Sequence, residues 1–267
     1  MRIGIVGVAG RLGSVLAAGI AAVEDLELVA GVSPSHAGRP LGEVVPALAG
    51  GPASEVIVAA GLDVLVDAKV DVALEVTGPA TVGAHLAWLL GQGIHTVVGA
   101  TGLLASDLET ARELAAAGPA RAAIVPNFSI GAVLVERFAA EAARHLPNVE
   151  IVELHHDRKV DAPSGTAVAT AAAIASALGD DLAPAAGVDG RAVAAGARGA
   201  LVHGIPVHAI RLPGLVAHEE VLLGGEGQLL TLRHDATDRS AYVAGAVLAC
   251  RRVGGLDGLV VGLGELL

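Results

Sequence analysis

His155, His156 and Lys159 are three proton-carrying side chains within five residues of one another. Histidine exchanges protons near neutral pH, and Lys159 adds a cation and a second acid. Asp161 is near enough along the chain to orient either. On a strand, His155 and His156 would face opposite ways, so at a strand end one can meet a substrate while the other supports it. Pro163 closes the loop, and Ser164-Gly165-Thr166 opens an Ala-rich run that reads as a helix. The unpaired N–H groups of such a helix start, with the Thr166 hydroxyl, make a receptor for a carboxylate. Each part has a plainer reading: a structural histidine, a metal-binding pair, an N-cap serine. Neither an HExxH nor a Cys-His spacing accompanies the pair, so no metal is expected. Taken jointly, the parts describe a site for an anionic substrate that needs a proton.

A second constellation is a glycine turn, Gly7-Val8-Ala9-Gly10-Arg11-Leu12-Gly13, with spacing G-x-x-G-x-x-G and Ala9 in the middle place. It lies between an apolar strand, Arg2 to Val6, and a helix pattern, Ser14 to Val23. There, glycines let a pyrophosphate approach the backbone and the next helix offers it N–H groups. The spacing alone is weak evidence; its position strengthens it. Arg11 is placed to meet a phosphate. An acid at the end of the second strand would accept the ribose 2′-OH of NAD. Here that place holds Ser33, with Ser35 and His36 nearby, so NADPH is expected as the preferred cofactor, with NADH usable. Gly99-Ala100-Thr101-Gly102 and Val125-Pro126-Asn127-Phe128 also follow strands, where ligands bind in open α/β sheets.

The elements that must position these groups form two styles. Leu26 to Val32, Val56 to Val58, Val70 to Val76, Thr96 to Gly99 and Ala122 to Val125 read as further strands, the last of them closing the series. Ala80 to Leu90 and Ser106 to Ala116 read as intervening helices, which gives a doubly wound (Rossmann-like) parallel sheet. Residues 34 to 54 are rich in Pro and Gly and read as a loop with at most a short helix. Then Val133 to His145 and Gly165 to Leu178 read as helices, Glu150 to His155 as a strand, and Gly179 to Gly199 as a mobile connection. Val207 to Leu212, Val216 to Leu223 and Gln228 to His234 follow as an antiparallel meander. With Glu150 to His155 they make a four-stranded mixed sheet in a C-terminal α+β domain. Ser240 to Arg252 is a closing helix that returns to the first domain. The expected division is 1–126 plus 238–267 for the dinucleotide and 127–237 for substrate and oligomerisation. His208, His218 and His234 sit in strand patterns and are read as structural.

Composition narrows the partners. A 267-residue chain has room for two domains, each with a core. Apolar residues make up 53% and mean hydropathy is +0.65, which raises the question of a membrane. Yet the longest uncharged stretch, Val76 to Ser106, is broken by Pro79 and six glycines, so no span is expected. Net charge is −11, against a nucleic-acid partner. Cys250 is the single cysteine, which excludes an internal disulfide. With no secretory pattern at the N-terminus, a cytoplasmic location is expected. Aromatics are 1% (Trp88, Phe128, Phe138, Tyr242), so stacking is an unlikely recognition device.

The run HHDRKVDAPSGTA resembles the signature of the 4-hydroxy-tetrahydrodipicolinate (dihydrodipicolinate) reductase family of the bacterial lysine and diaminopimelate pathway. The resemblance extends through GVAGRLG, GATG, VPNFSIGAVL and GIPVHAIRLPGLVAHEEVL to DRSAYVAGAVLACR, over nearly the whole chain, and is closest to the actinobacterial branch. It implies a two-domain homotetrameric reductase acting on a small dicarboxylate with NADPH or NADH. By that resemblance, His155 and Lys159 match catalytic proton donors, and His156, Gly165 and Thr166 match substrate-carboxylate contacts. Gly7, Val8, Ala9, Gly10, Arg11, Leu12, Gly99, Ala100, Thr101, Val125, Pro126, Asn127 and Phe128 match cofactor contacts. Three departures stand out: Ser33 for the usual acid, Ala100 for a Thr in G-T-T-G, and Glu75-Val76-Thr77 for Asp-Phe-Thr. Residues 34 to 69 also look longer than in the shortest relatives. Two other readings compete: a dinucleotide-sensing protein without turnover, and another small amino-acid dehydrogenase on the same fold.

Overall fold

A computed structural model describes residues 1–179, 194 and 196–267. Most of the connection expected from Gly179 to Gly199 therefore lies outside the described residues. The chain divides into two compact units, Met1–Phe128 with Arg239–Leu267, and Ser129–Asp238.

In the first unit, strands β1 (Arg2–Val6), β2 (Glu27–Val32), β3 (Val72–Glu75), β4 (His95–Val98) and β5 (Ala122–Ile124) alternate with helices. These are α1 (Gly13–Ala21), α2 (Leu41–Val44), α3 (Asp63–Asp67), α4 (Val82–Gly91) and α5 (Ala105–Ala117). The strands are short apolar runs; β3 is buried at all four positions, as expected for a parallel sheet covered on both faces. The chain's end contributes helix α8 (Val243–Val253) and strand β11 (Leu259–Val261) to this same unit. Among the described residues the sheet has six parallel strands in the order β11-β5-β4-β3-β1-β2. The order reverses at β1, and the switch point in such sheets is where ligands bind.

Three expectations are corrected here. Ala122 to Val125 is not the last strand of the series: β11 pairs outside β5. Val56 to Val58 forms no strand: the segment makes only isolated bridges, Pro40 to Ile57 and Val32 to Ala59, since it pairs with two different partners at single residues and continues along neither. Residues 34 to 54 contain the one short α-helix allowed for, α2, but go beyond that expectation in the 3₁₀ turns at Pro34–His36 and Pro46–Leu48 that flank it. Both turns start on proline, whose fixed φ suits a first helical position.

In the second unit, α6 (Ile130–Ala143) and α7 (Gly165–Leu178) cover a sheet made from β6 (Asn148–His155), β7 (Ala200–Val202), β8 (Ile205–Arg211), β9 (Ala217–Gly225) and β10 (Gln228–Ala236). Its core joins Ala139, Ala143, Ala167 and Ala171 from the helices to Val149, Ile151, Val207 and Val221 from the strands. Small side chains let the two helices pack closely, which gives the Ala-rich composition a packing role. Fully burying a side chain such as Ile151 contributes about 1.5–3 kcal/mol.

The sheet has five strands among the described residues, not four, in the order β10-β9-β6-β8-β7. Nor is it a simple meander. β6 lies between β8, which it pairs in parallel, and β9, which it pairs antiparallel. The link from Arg211 to Ala217 must therefore pass the end of β6, and Leu212 N–H donates to the His155 carbonyl there at 3.0 Å. Burial explains the arrangement: β6 alternates buried Val149, Ile151 and Glu153 on one face, and a strand so buried belongs in the middle.

Candidate active site

The glycine turn closes on itself. Gly7 has φ +90°, a left-handed conformation that favours glycine. Gly10 N–H donates to Gly7 O at 2.9 Å. A Cβ on Gly13 would lie 2.1 Å from Gly7 O, so α1 begins with its backbone against the turn. Around this turn lies a cleft of about 390 Å³ lined by Gly7, Ala9, Gly10, Ser33, Ser35, His36, Thr77 and His85, among others. Of the expected cofactor residues, Gly7, Ala9, Gly10 and Ser33 line it. Val8 is fully buried instead, packed beside Gly31. Arg11 is exposed, and it and Leu12 are outside the lining.

Gly99, Ala100, Thr101, Val125, Pro126, Asn127 and Phe128 are likewise outside that lining. Gly99 and Phe128 pack behind Val76 of the cleft wall. A Cβ on Gly99 would meet the Phe128 ring at 2.3 Å and Val76 at 3.1 Å, and Val76 does line the cleft. Phe128 and Ala100 are buried, whereas Thr101 and Pro126 are exposed.

Ser33 is buried, at 7% exposure. Its hydroxyl lies 3.2 Å from His36 Nδ1, and Ser35 Oγ is 2.9 Å from the same nitrogen. A group that sequence reading missed is the Glu75 cluster. Glu75 is fully buried at the end of β3, accepts from Thr77 N–H and Thr77 Oγ1, and lies 3.0 Å from His85 Nδ1. It thereby fixes two residues of the cleft wall.

The cradle fits a nicotinamide dinucleotide. Its three glycines hold the turn too tightly for side chains, and α1 opens directly from it, with Ser14 N–H donating to Gly10 O at 2.9 Å. Gly7, Ala9 and Gly10 would hold the pyrophosphate, and Ser33 would sit by the adenosine ribose.

The proton-donor segment lies in the second unit. His155 is the last residue of β6, and its Nδ1 is 2.6 Å from Glu153 Oε2. His156 follows the strand; its Nδ1 is buried with no hydrogen-bond partner among the described residues. Lys159 Nζ donates to both carboxylate oxygens of Asp161, at 2.9 and 2.7 Å. Asp161 thus orients Lys159 only; Glu153, not Asp161, meets His155. Asp161 is held below the usual carboxylate range, chiefly by that hydrogen bond from Lys159. Ser164 caps α7, its Oγ accepting from Ala167 N–H at 3.2 Å. A Cβ on Gly165 would meet nothing within 4 Å, and Thr166 is partly exposed beside it.

Glu153 and Arg211 were not singled out by sequence reading. Glu153 is 0% exposed and receives a two-pronged contact from Arg211, Nη1 to Oε2 at 2.7 Å and Nη2 to Oε1 at 2.8 Å. Burial pushes its pKa up, but the hydrogen bonds and charges of His155 and Arg211 outweigh burial and bring it down to about 2. A signal was available: the alternation of β6 places Glu153 in register with buried Val149 and Ile151, and a carboxylate there needs a partner. Of the strand histidines, His208 meets Glu150 at 2.8 Å, His218 meets Asp235 at 2.6 Å and His234 meets Ser129 at 3.1 Å. Among the described residues no His, Cys, Asp or Glu group is gathered to hold a metal, and no helix is long and apolar enough to cross a membrane.

A Rossmann-like unit with a glycine cradle, joined to a mixed-sheet unit bearing histidines and a lysine, defines a nicotinamide-dependent oxidoreductase. Residues 1–128 match the family model "Dihydrodipicolinate reductase, N-terminus", and residues 131–267 match "Dihydrodipicolinate reductase, C-terminus". The chain belongs to the dihydrodipicolinate reductase family. It is 41% identical to the 4-hydroxy-tetrahydrodipicolinate reductase of Moorella thermoacetica, over 100% of this chain and 98% of that protein. It is 42% identical to the enzyme of the same name from Mycolicibacterium smegmatis, over 100% and 99%. A dipicolinate-bound dihydrodipicolinate reductase from Paenisporosarcina sp. TG-14 superposes with TM-score 0.86 at 37% identity, covering 100% of this chain and 99% of that one. An amine dehydrogenase from Mycobacterium smegmatis, at 14% identity and TM-score 0.64 over 97% and 94% of the two chains, shares the fold alone.

Proposed function

We propose that this chain reduces 4-hydroxy-tetrahydrodipicolinate to tetrahydrodipicolinate in diaminopimelate and lysine biosynthesis. The observation that carries the reading is the His155–Thr166 segment: two histidines, a lysine and an open helix start gathered at one end of β6, in a chain related over its full length to reductases of that name.

The reaction balances as substrate plus NAD(P)H plus a proton giving tetrahydrodipicolinate, NAD(P)⁺ and water. When bound, the cofactor supplies a hydride to the substrate ring after water is lost. His155 and Lys159 then deliver the proton that the electron-rich ring carbon takes up. The substrate is a dicarboxylate, and the dipicolinate held by the Paenisporosarcina enzyme has the same pair of carboxylates. His156, with its unpartnered Nδ1, and the Gly165–Thr166 helix start bind one carboxylate here. Charge-assisted hydrogen bonds of this kind are short and about twice as strong as neutral ones.

Ser33 supports NADPH as the preferred cofactor, with NADH also accepted, because no carboxylate stands at the end of β2 to repel a 2′-phosphate. His36 and Ser35 beside it offer hydrogen bonds to that phosphate. Gly7 to Leu12, Gly99 to Thr101 and Val125 to Phe128 make up the cofactor contacts in this reading. The enzyme works as a cytoplasmic homotetramer. The test is oxidation of NADPH and of NADH with freshly generated 4-hydroxy-tetrahydrodipicolinate. Substrate-dependent oxidation, faster with NADPH and abolished by Lys159→Ala while cofactor binding persists, is the expected result. Cofactor binding without any turnover would sink the reading and leave a dinucleotide sensor.

A further inference from the structure

We propose that Glu153 is a positioning residue of the reaction, holding His155 with its proton on Nδ1 and Nε2 aimed outward while anchoring the two other parts of the site. The inference deepens the reductase reading and rests on it for its catalytic consequence.

The argument begins with a count of partners. An ionised carboxylate offers about four acceptor sites, and Glu153 fills them with four donors. Oε1 accepts from Ser164 N–H at 3.0 Å and Arg211 Nη2 at 2.8 Å; Oε2 accepts from His155 Nδ1 at 2.6 Å and Arg211 Nη1 at 2.7 Å. The four donors come from three parts of the site, two of them from Arg211. His155 is the proton carrier. Ser164 is the cap of α7, the start of which offers Gly165 and Thr166. Arg211 also donates through Nη2 to the carbonyl of Asp161 at 2.6 Å, and the Asp161 side chain holds Lys159. One buried carboxylate and one guanidinium therefore connect the histidine, the lysine loop and the carboxylate receptor.

The tautomer follows from chemistry. Glu153 stays ionised across the working pH range, so it only accepts. His155 Nδ1 must then carry the hydrogen between them. In the neutral ring Nε2 is bare; in the doubly protonated ring the Nε2 proton is the one free to leave, while the positive charge rests against Glu153. Proton transfer breaks the Nε2–H bond, forms a C–H bond on the reduced ring, and returns the imidazole to its Nδ1–H form without rotation.

A second carboxyl explains how the charge is kept on Glu153. Glu219 of β9 lies directly opposite Glu153 in the strand pairing, and like charges in that arrangement repel. Burial first, and then the charges of Glu136 and Glu153, push Glu219 up to about 7, against the lowering effect of the Thr170 hydroxyl. The pair is split: one carboxyl is ionised and saturated with donors, the other holds a proton. Environments that drive neighbouring acids apart assign their roles.

The test is a double-mutant cycle read together with ring-nitrogen NMR. Glu153→Gln should lower kcat by about 10²–10⁴, the range for a disabled proton-transfer step, with cofactor affinity unchanged. In a His155→Ala background the same substitution should cost at least about tenfold less than in wild type, because the part of its effect that acts through His155 is already gone and only the hold on Ser164 and Arg211 is left to lose. Losses that multiply in the double variant would overturn the proposal, since Glu153 would then act independently of His155. In ¹⁵N-histidine-labelled wild-type protein, the signal absent from His155→Ala should show the Nδ1–H tautomer. An Nε2–H tautomer would overturn the proposal whatever the kinetics, and decides the matter if Glu153→Gln does not fold. If wild-type protein shows the expected tautomer but no turnover, the reductase reading fails and the hold of Glu153 on His155 stands.

Discussion

Replacing Gly13 with alanine should cost the protein its cofactor cradle. The added Cβ would sit 2.1 Å from Gly7 O, 2.9 Å from Gly7 C and 3.0 Å from Val8 Cα. All three are backbone atoms, so no side chain can rotate away. The Gly7–Val8 peptide would have to retreat by roughly an ångström, yet Gly7 and Val8 N–H both donate to Val32 O, at 2.9 and 3.2 Å. Overpacking of this kind costs about 1–3 kcal/mol. The cost has two outlets. If the turn keeps its shape, it appears as lost stability; if the turn relaxes, it appears as lost affinity. At about 1.4 kcal/mol per tenfold, the affinity outlet alone is about 5- to 150-fold in Kd. Fluorescence titration with NADPH and NADH, alongside thermal melting without ligand, measures both. The two losses should sum to the estimated range. A Gly13→Ala protein that melts with wild type and binds both cofactors within twofold would refute the close-packed turn.

Gly165→Ala makes the opposite case: its Cβ meets nothing within 4 Å, so melting should not change. If that space receives the substrate carboxylate, KM for substrate should rise tenfold or more with cofactor Kd unchanged, and an unaltered KM would remove Gly165 from the binding site. Glu219, raised to about 7 from an ordinary 4.5, gives stability that is full below about pH 4.5 and lost as pH rises through about 7. At about 1.4 kcal/mol per unit, Glu219→Gln should therefore stabilise by the order of a few kcal/mol at pH 8.5 and by much less at pH 5.5. Equal gains in melting temperature at the two pH values would contradict a proton held on Glu219. Burial pushes the Cys250 thiol up to about 12, so an aromatic disulfide reagent should label it only as fast as the protein unfolds. Rapid labelling of the native protein would show that α8 opens locally.

Much of the fold was legible because local pattern and global role coincide. The first unit announces itself through short apolar strands and a glycine turn, and Gly165–Leu178 is bounded by its own serine cap. The misses have a common cause. β11, the edge bridges of Pro40–Ile57 and the central place of β6 are long-range pairings, and short runs such as Leu259–Val261 carry no periodicity that specifies a partner. In the site, His155, His156 and Lys159 were legible by type and spacing. Arg211 was not, because it is far along the chain from Glu153 and enters only through the parallel register that sets His155 opposite Arg211. Asp161 was assigned to either cation on proximity in sequence; the pleat, which brings Glu153 to the same face as His155, decides otherwise.

In the proposed reading the two units recognise their ligands by different physics, which is compatible with the Ala- and Gly-rich composition. In that reading the cradle of the first unit works through backbone N–H groups and the absence of side chains, so it needs glycine at a few positions. Phe128, one of the few aromatics, is buried against Gly99 as a packing element and does not line the cleft. The second unit depends on particular side chains, since Glu153, Arg211, His155 and Asp161 satisfy one another in a fixed geometry. A chain can therefore shift toward alanine, glycine and valine across its helices and strands, filling a core with small residues. What it cannot exchange freely are the cradle glycines and the carboxylate that gathers the proton-transfer groups, because backbone approach in one unit and a saturated buried charge in the other leave no room for a substitute.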